Sequence, residues 1–139
     1  MEIRDLDKIL VDTSAWIEFF RKKEPYYSII LELIDDDRVC CAGIILAELL
    51  QGAKSAHELK VLKEFLHVFD FLHETAALWE GAGELSYALS RKGKSVGLSD
   101  CYISVVAVSN NIKLLTMDKH FETIKSAVKL SFHGINRRT

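Results

Sequence analysis

Lys8-Ile9-Leu10-Val11-Asp12-Thr13-Ser14 is a short apolar run that ends in three residues able to start a helix. The chain that follows repeats this alternation. Apolar spacing predicts a helix over 15–23, which Pro25 breaks, and another over 26–36 carrying Ile29, Ile30, Leu33 and Ile34 on one face. A second short strand is predicted over 38–42, then a helix over 44–50 that stops near Gly52. Two further helices are read over 57–68 and 74–91, with a short strand near 68–72 between them. A helix over 98–110, a strand over 112–115, a short helix over 119–125 and a last strand over 128–132 complete the chain. Short buried strands alternating with helices predict an α/β fold with a parallel sheet of four to five strands covered on both faces. In such open sheets ligands bind beyond the carboxyl ends of the strands, so the chemistry is sought there.

The chain has 139 residues, the length of one domain (1–139), and no repeat or Pro/Ser-rich linker divides it. Hydrophobic residues make up 49 % and charged residues 27 %, which excludes the disordered and collagen-like classes. A net charge of −2 means that any nucleic acid is recruited by a local basic patch rather than by the whole-protein field. Cys40, Cys41 and Cys101 are odd in number, two are adjacent, and all lie in apolar stretches. They read as buried free thiols of a reducing compartment, not as a disulfide framework or a zinc site. The start Met-Glu-Ile-Arg-Asp-Leu-Asp lacks a signal-peptide h-region, and the apolar stretch near Ile44 is too short for a membrane span. A cytoplasmic protein with no membrane contact is expected.

Four carboxylates fall where the rim rule points. Asp12 closes the first strand, Glu48 lies one turn into the helix after the second, and Asp118 follows the strand ending at Leu115. Asp100 begins a helix whose N-terminus faces the same rim if the crossovers have the usual right hand. Clustered carboxylates repel unless a cation fills the gap. An all-oxygen set without His or Cys suits a hard ion, Mg²⁺ or Mn²⁺. Such an ion lowers the pKa of a bound water and neutralises charge on a phosphodiester. Each residue also has a structural reading. Asp12 and Asp118 are possible helix caps, and Asp100 suits the positive end of a helix dipole. Glu48 is the sharpest of the four: it is the one charged residue between Arg38 and Lys54, in a run where a buried carboxylate is costly unless paired or bound to metal.

These motifs resemble those of the PIN domain family. Leu10-Val11-Asp12-Thr13-Ser14, Ala47-Glu48-Leu49, Val96-Gly97-Leu98-Ser99-Asp100 and the stretch from Leu114 to Phe121 look like its successive motifs, and in particular like the VapC-type toxins of toxin–antitoxin pairs. The resemblance runs from about Lys8 to Phe132. It implies a three-layer α/β/α sandwich and a Mg²⁺- or Mn²⁺-dependent endoribonuclease whose acidic quartet is Asp12, Glu48, Asp100 and Asp118. It also implies that hydroxyls at Thr13 or Ser14 and at Thr116 hold a carboxylate or a metal-bound water. A homodimer, and an antitoxin whose C-terminal segment enters the active-site groove, are implied as partners. Two features depart from the family pattern: Ser104 stands where a small apolar residue is usual, and the tail carries Arg137 and Arg138.

The expected reaction is hydrolysis by a metal-activated water attacking phosphorus in line. Lys22 and Lys23, and Lys92 and Lys94, are candidates for the RNA backbone, with solvated surface as the ordinary alternative. Trp16 and Trp79 sit at helical core spacing, and base stacking is the lesser reading. His120 is read as packing or capping locally rather than as a general base. A phosphatase of the haloacid-dehalogenase type needs a second Asp two residues after Asp12, where Ser14 stands, and a dinucleotide-binding domain needs a Gly-rich first turn. The rivals that keep the fold are a PIN nuclease of RNA processing or of structured DNA without an antitoxin, and a catalytically dead PIN binding module.

Overall fold

Strand β1 (Ile9–Val11) is fully buried along its length, as a strand must be when helices cover both faces of the sheet. The structure, a computed structural model, describes residues 7–135. The start of the chain read above for a signal, and Arg137 and Arg138, lie outside those residues. β2 (Val39–Cys41), β3 (Asp70–Phe71) and β4 (Lys113–Leu115) join β1 in one parallel sheet of order β3-β2-β1-β4. Helices α1 (Thr13–Phe20) and α2 (Tyr26–Asp35) follow β1, and α3 (Gly43–Gln51) and α4 (Ala56–Leu66) follow β2. After β3 come α5 (Ala76–Arg91) and α6 (Leu98–Ser109), and α7 (His120–Lys125) follows β4. The architecture is the α/β/α sandwich expected, with four strands.

The strand order decides where a site can form. From β1 the chain steps outward to β2 and β3, then returns to lay β4 on the other side of β1. Helices leaving β1 and β4 therefore diverge, and a crevice opens between the carboxyl ends of these two strands. The Asp12 amide donates to the Leu115 carbonyl at 2.9 Å and holds the floor of that crevice shut.

Helix ends are set by local chemistry. α1 stops at Phe20, three residues before the predicted end, because Lys22 turns into the left-handed region (φ 57°). Its amide donates to the Phe19 carbonyl and that of Lys23 to Glu18, the paired bonds of a Schellman cap. Asp37, Gly93 and Asn111 end α2, α5 and α6 in the same way. The predicted strand over 128–132 does not form. The Leu130 amide bonds to Val128, which bends the chain, so only Phe132 pairs with the sheet, as a parallel bridge to Leu114. All three cysteines are free and buried, and burial pushes the thiols of Cys40 and Cys41 to about 12, far from any reactive thiolate. Trp16 is fully buried, ringed by Phe19, Phe20, Phe65 and Phe69.

Candidate active site

Asp12 is the innermost acid, 4 % exposed at the end of β1. Burial raises its pKa, and hydrogen bonds from Thr116 and Ser14 oppose that rise. Thr116 Oγ1 and Ser14 Oγ both donate to Asp12 Oδ2, at 2.7 and 2.9 Å. Each hydroxyl's single proton is thereby used, so the two oxygens, 3.2 Å apart, keep their lone pairs for other donors. Thr116 accepts from the Asp118 amide and Ser14 from the Met117 amide, both at 3.0 Å. Two hydroxyls thus tie the β4–α7 loop to the acid at the end of β1. Asp12 does not cap α1 with its side chain.

Thr13 serves a different acid. Its Oγ1 donates to Glu48 Oε1 at 2.6 Å and joins α1 to α3. Glu48 is half-buried at the rim rather than sunk among the leucines beside it: the helical turn that buries Ile45 and Leu49 leaves position 48 at the edge. Asp118, also half-buried, accepts from the His120 amide at 2.9 Å in the turn that enters the short α7, whose N-cap position is Lys119.

Asp100 stands in the first turn of α6. Its pKa is raised to about 6, first by burial, then by the charges of Asp12, Asp118 and Glu48, with His120 opposing. Three of the predicted carboxylates therefore act electrostatically on the fourth, Asp100, although the end of β1, α3, α6 and the loop after β4 supply one each. The structure adds His120. Its ring is 69 % exposed, so it does not pack; Nδ1 lies 3.1 Å from Asp118 Oδ1 and 4.0 Å from Asp100 Oδ2. Ligand atoms of Asp100, Asp118 and His120 all fall within 4.8 Å of one another. This donor set, mostly carboxylate oxygen with three further acids acting on Asp100, fits a hard divalent cation that tolerates one imidazole.

A further carboxylate escaped the sequence reading. Glu74 precedes α5 instead of opening it, because Thr75 takes the N-cap position, so it sits in the loop leaving β3 at the same rim. Its Oε2 accepts from the Gly43 amide (2.7 Å) at the start of α3, and its Oε1 accepts from Tyr102 (2.5 Å) in α6. Glu74 thus braces the helix that carries Glu48 against the helix that carries Asp100. The rule that singled out Asp12 and Asp118, a position just beyond a strand's carboxyl end, also points to it. Ser104, buried in α6, donates to the Asp100 carbonyl at 2.9 Å, which satisfies a hydroxyl where an apolar side chain was expected. Trp79 is 46 % exposed and stacks on Tyr102 at 3.6 Å, so it is not a core residue. Lys22, Lys23, Lys92 and Lys94 are exposed in turns after α1 and α5 and form no ion pair among the described residues.

Thr116→Val keeps the shape of the threonine and removes a charge-assisted donor to a buried carboxylate. It is expected to cost about 1.5–3 kcal/mol of stability at neutral pH. Urea denaturation reads the effect, and an unchanged midpoint at unchanged slope would mean that the hydroxyl is not holding Asp12.

Comparison with known proteins agrees with this fold. The family model of the PIN domain matches residues 9–126. Ribonuclease VapC11 of Mycobacterium tuberculosis is 26 % identical over 127 residues, covering 88 % of this chain and 95 % of that protein. Ribonuclease VapC1 of Methanocaldococcus jannaschii is 27 % identical over 123 residues, covering 88 % of this chain and 85 % of that protein. Among solved structures, a chain of the DNA-bound VapBC from Salmonella typhimurium superposes with a TM-score of 0.73 at 27 % identity, covering 92 % of this chain and 98 % of that one. With the model spanning all four strands and the acids at their rim, the chain belongs to the PIN domain family, and its likeness within that family is to the VapC-type toxins.

Proposed function

We propose that this chain, acting as one nuclease domain over 1–139, is a Mg²⁺- or Mn²⁺-dependent endoribonuclease and the toxin of a VapBC-type toxin–antitoxin pair. The observation that carries the reading is the convergence of Asp12, Glu48, Asp100 and Asp118 on the crevice between β1 and β4. These four would hold the ion, with His120 beside Asp100 and Asp118. Thr13, Ser14 and Thr116 orient the carboxylates by the hydrogen bonds described above. Bound there, a divalent ion supplies positive charge against the phosphodiester and acidifies a water for attack on phosphorus. Lys92 and Lys94, and Lys22 and Lys23, are assigned to the RNA backbone outside the crevice.

The names of the relatives support RNA as substrate and an antitoxin as partner. Exposed apolar side chains on α1 (Ile17 and Phe20) and α4 (Leu59 and Val61) support a protein partner. A homodimer in the cytoplasm completes the proposal; among the described residues no helix is long and apolar enough to cross a membrane.

The test is RNA cleavage by purified protein with and without EDTA. Chelation is expected to stop cleavage and Mg²⁺ or Mn²⁺ to restore it, because the ligands are mostly oxygen. Cleavage that survives thorough chelation would point to a metal-free ribonuclease. Light scattering on the same sample reads the dimer. Co-expression with the product of the adjacent gene is expected to give a co-purifying inhibitor; an unaffected nuclease would favour the RNA-processing reading.

A further inference from the structure

The acidic cluster is not the whole of the rim. A groove of about 640 Å³ opens directly beside it, and Thr116 and Asp118 belong to the walls of both. That volume lies in the range of sites for small organic ligands and exceeds what a hydrated ion needs. We propose that this groove is a nucleotide subsite, taking one unstacked nucleoside of single-stranded RNA next to the phosphate held at the cluster. The proposal rests on the ribonuclease reading above and deepens it by naming where the substrate's base goes.

The walls carry the chemistry of a base pocket. Met117 is exposed to 47 % and offers a polarisable thioether, while Phe132 and Ile135 are half-buried apolar surfaces. A flat base face gains from such contacts in an unstacked strand, whereas a paired base is not free to make them. Lys119 and His133 line the same groove and supply hydrogen-bonding groups for a base edge or a sugar. Lys125 adds positive charge, its Nζ lying 5.3 Å from the centre of the Phe132 ring. The far wall is fixed to the sheet: Phe132 bridges to Leu114, and the His133 amide donates to the Leu114 carbonyl at 2.9 Å. The near wall is fixed by the Tyr26 hydroxyl, which donates to the Thr116 carbonyl at 3.4 Å. A groove held on both sides by the elements that hold the carboxylates keeps a constant offset from them. Such an offset is what selection of a cleavage position along an RNA requires.

Gly134 gives a test that spares the machinery. It lines the groove, and a Cβ built on it meets nothing within 4 Å. Gly134→Ala is expected to behave as wild type, and Gly134→Trp to fill the groove. The assay compares RNA cleavage with hydrolysis of bis(p-nitrophenyl) phosphate, a small diester that can reach the cluster without occupying the groove. Gly134→Trp is expected to lower kcat/KM on single-stranded RNA about 10-fold or more, to redistribute the mapped cleavage positions, and to leave the small diester unaffected. Unchanged RNA rate and positions overturn the subsite while leaving the ribonuclease reading intact, and equal losses on both substrates overturn it too. A wild type that cuts no RNA overturns the ribonuclease reading and the subsite with it. If thermal denaturation finds Gly134→Trp unfolded, Lys119→Gln decides: a several-fold rise in KM on RNA alone supports the subsite, and no change overturns it.

Discussion

Asp12→Asn is expected to lower RNA cleavage by at least ~100-fold while the protein stays folded. The amide keeps the size of the carboxyl group and one acceptor oxygen, so Ser14 and Thr116 can still donate to it. What disappears is the charge. Loss of a residue that merely orients a metal ligand typically costs 10–100-fold, and loss of a ligand's own charge should cost more. Stability moves the other way. Burial already disfavours the ionised form of Asp12, so a neutral amide removes a desolvation penalty at neutral pH. Glu48→Gln is the companion variant, since its Thr13 hydrogen bond also survives the exchange. Cleavage rates of the purified variants, with contaminating nuclease excluded, measure the effect. Undiminished cleavage by either variant would sink the assigned site.

Asp100→Asn should raise the melting temperature in EDTA by several degrees. The Asp100 carboxyl titrates near pH 6 in the fold, against an ordinary value of 3.8, because of burial and three neighbouring acids. With a folded pKa above the unfolded one, its contribution to stability is fully present below about pH 4. It is lost as pH rises through about 6. At pH 7 the metal-free protein is therefore strained by on the order of 2–3 kcal/mol, and the amide abolishes that strain. A smaller opposing effect is the lost attraction between a negative charge and the first turn of α6, about 0.3–1 kcal/mol. Mg²⁺ should stabilise the wild type by mass action and the variant much less. Scanning fluorimetry at pH 4.5 and 7.5, with and without Mg²⁺, separates these effects. The gain from the substitution should appear at the higher pH and shrink at the lower. A variant that melts lower than wild type in EDTA at pH 7.5 and responds equally to Mg²⁺ would remove Asp100 from a shared site.

Most strands and helices, and the positions of Asp12, Glu48 and Asp118 after strand ends, were legible in the sequence because each depends on neighbours along the chain. The rim position of Asp100 needed the right-handed crossover rule as well. Ile9-Leu10-Val11 is apolar without alternation, as a strand covered on both faces demands, and Asp12-Thr13-Ser14 turns it into a helix. Pro25, with its fixed φ, marks the start of α2, and Gly52 stands at the C-cap of α3. The burial of Cys40, Cys41 and Cys101 followed from their apolar surroundings. Only the tertiary structure decided which group meets which across long separations. Thr13 serves Glu48, 35 residues away, while Ser14 beside it serves Asp12 together with Thr116, 104 residues from that acid. No local pattern assigns adjacent hydroxyls to different carboxylates, since their directions depend on how α1 crosses the ends of β4 and α3. His120 joined the cluster because its ring reaches Asp118 and Asp100 across the packed elements. Glu74 became a brace between α3 and α6 because α5 starts two residues later than its apolar pattern suggests. The last predicted strand was lost for the same kind of reason: Val128 and Leu130 have the apolar pattern, but a bent backbone leaves only Phe132 to pair with Leu114. Apolar pattern is a property of the chain, whereas hydrogen-bond partners, exposure and the charge felt by Asp100 are properties of the packed elements around them.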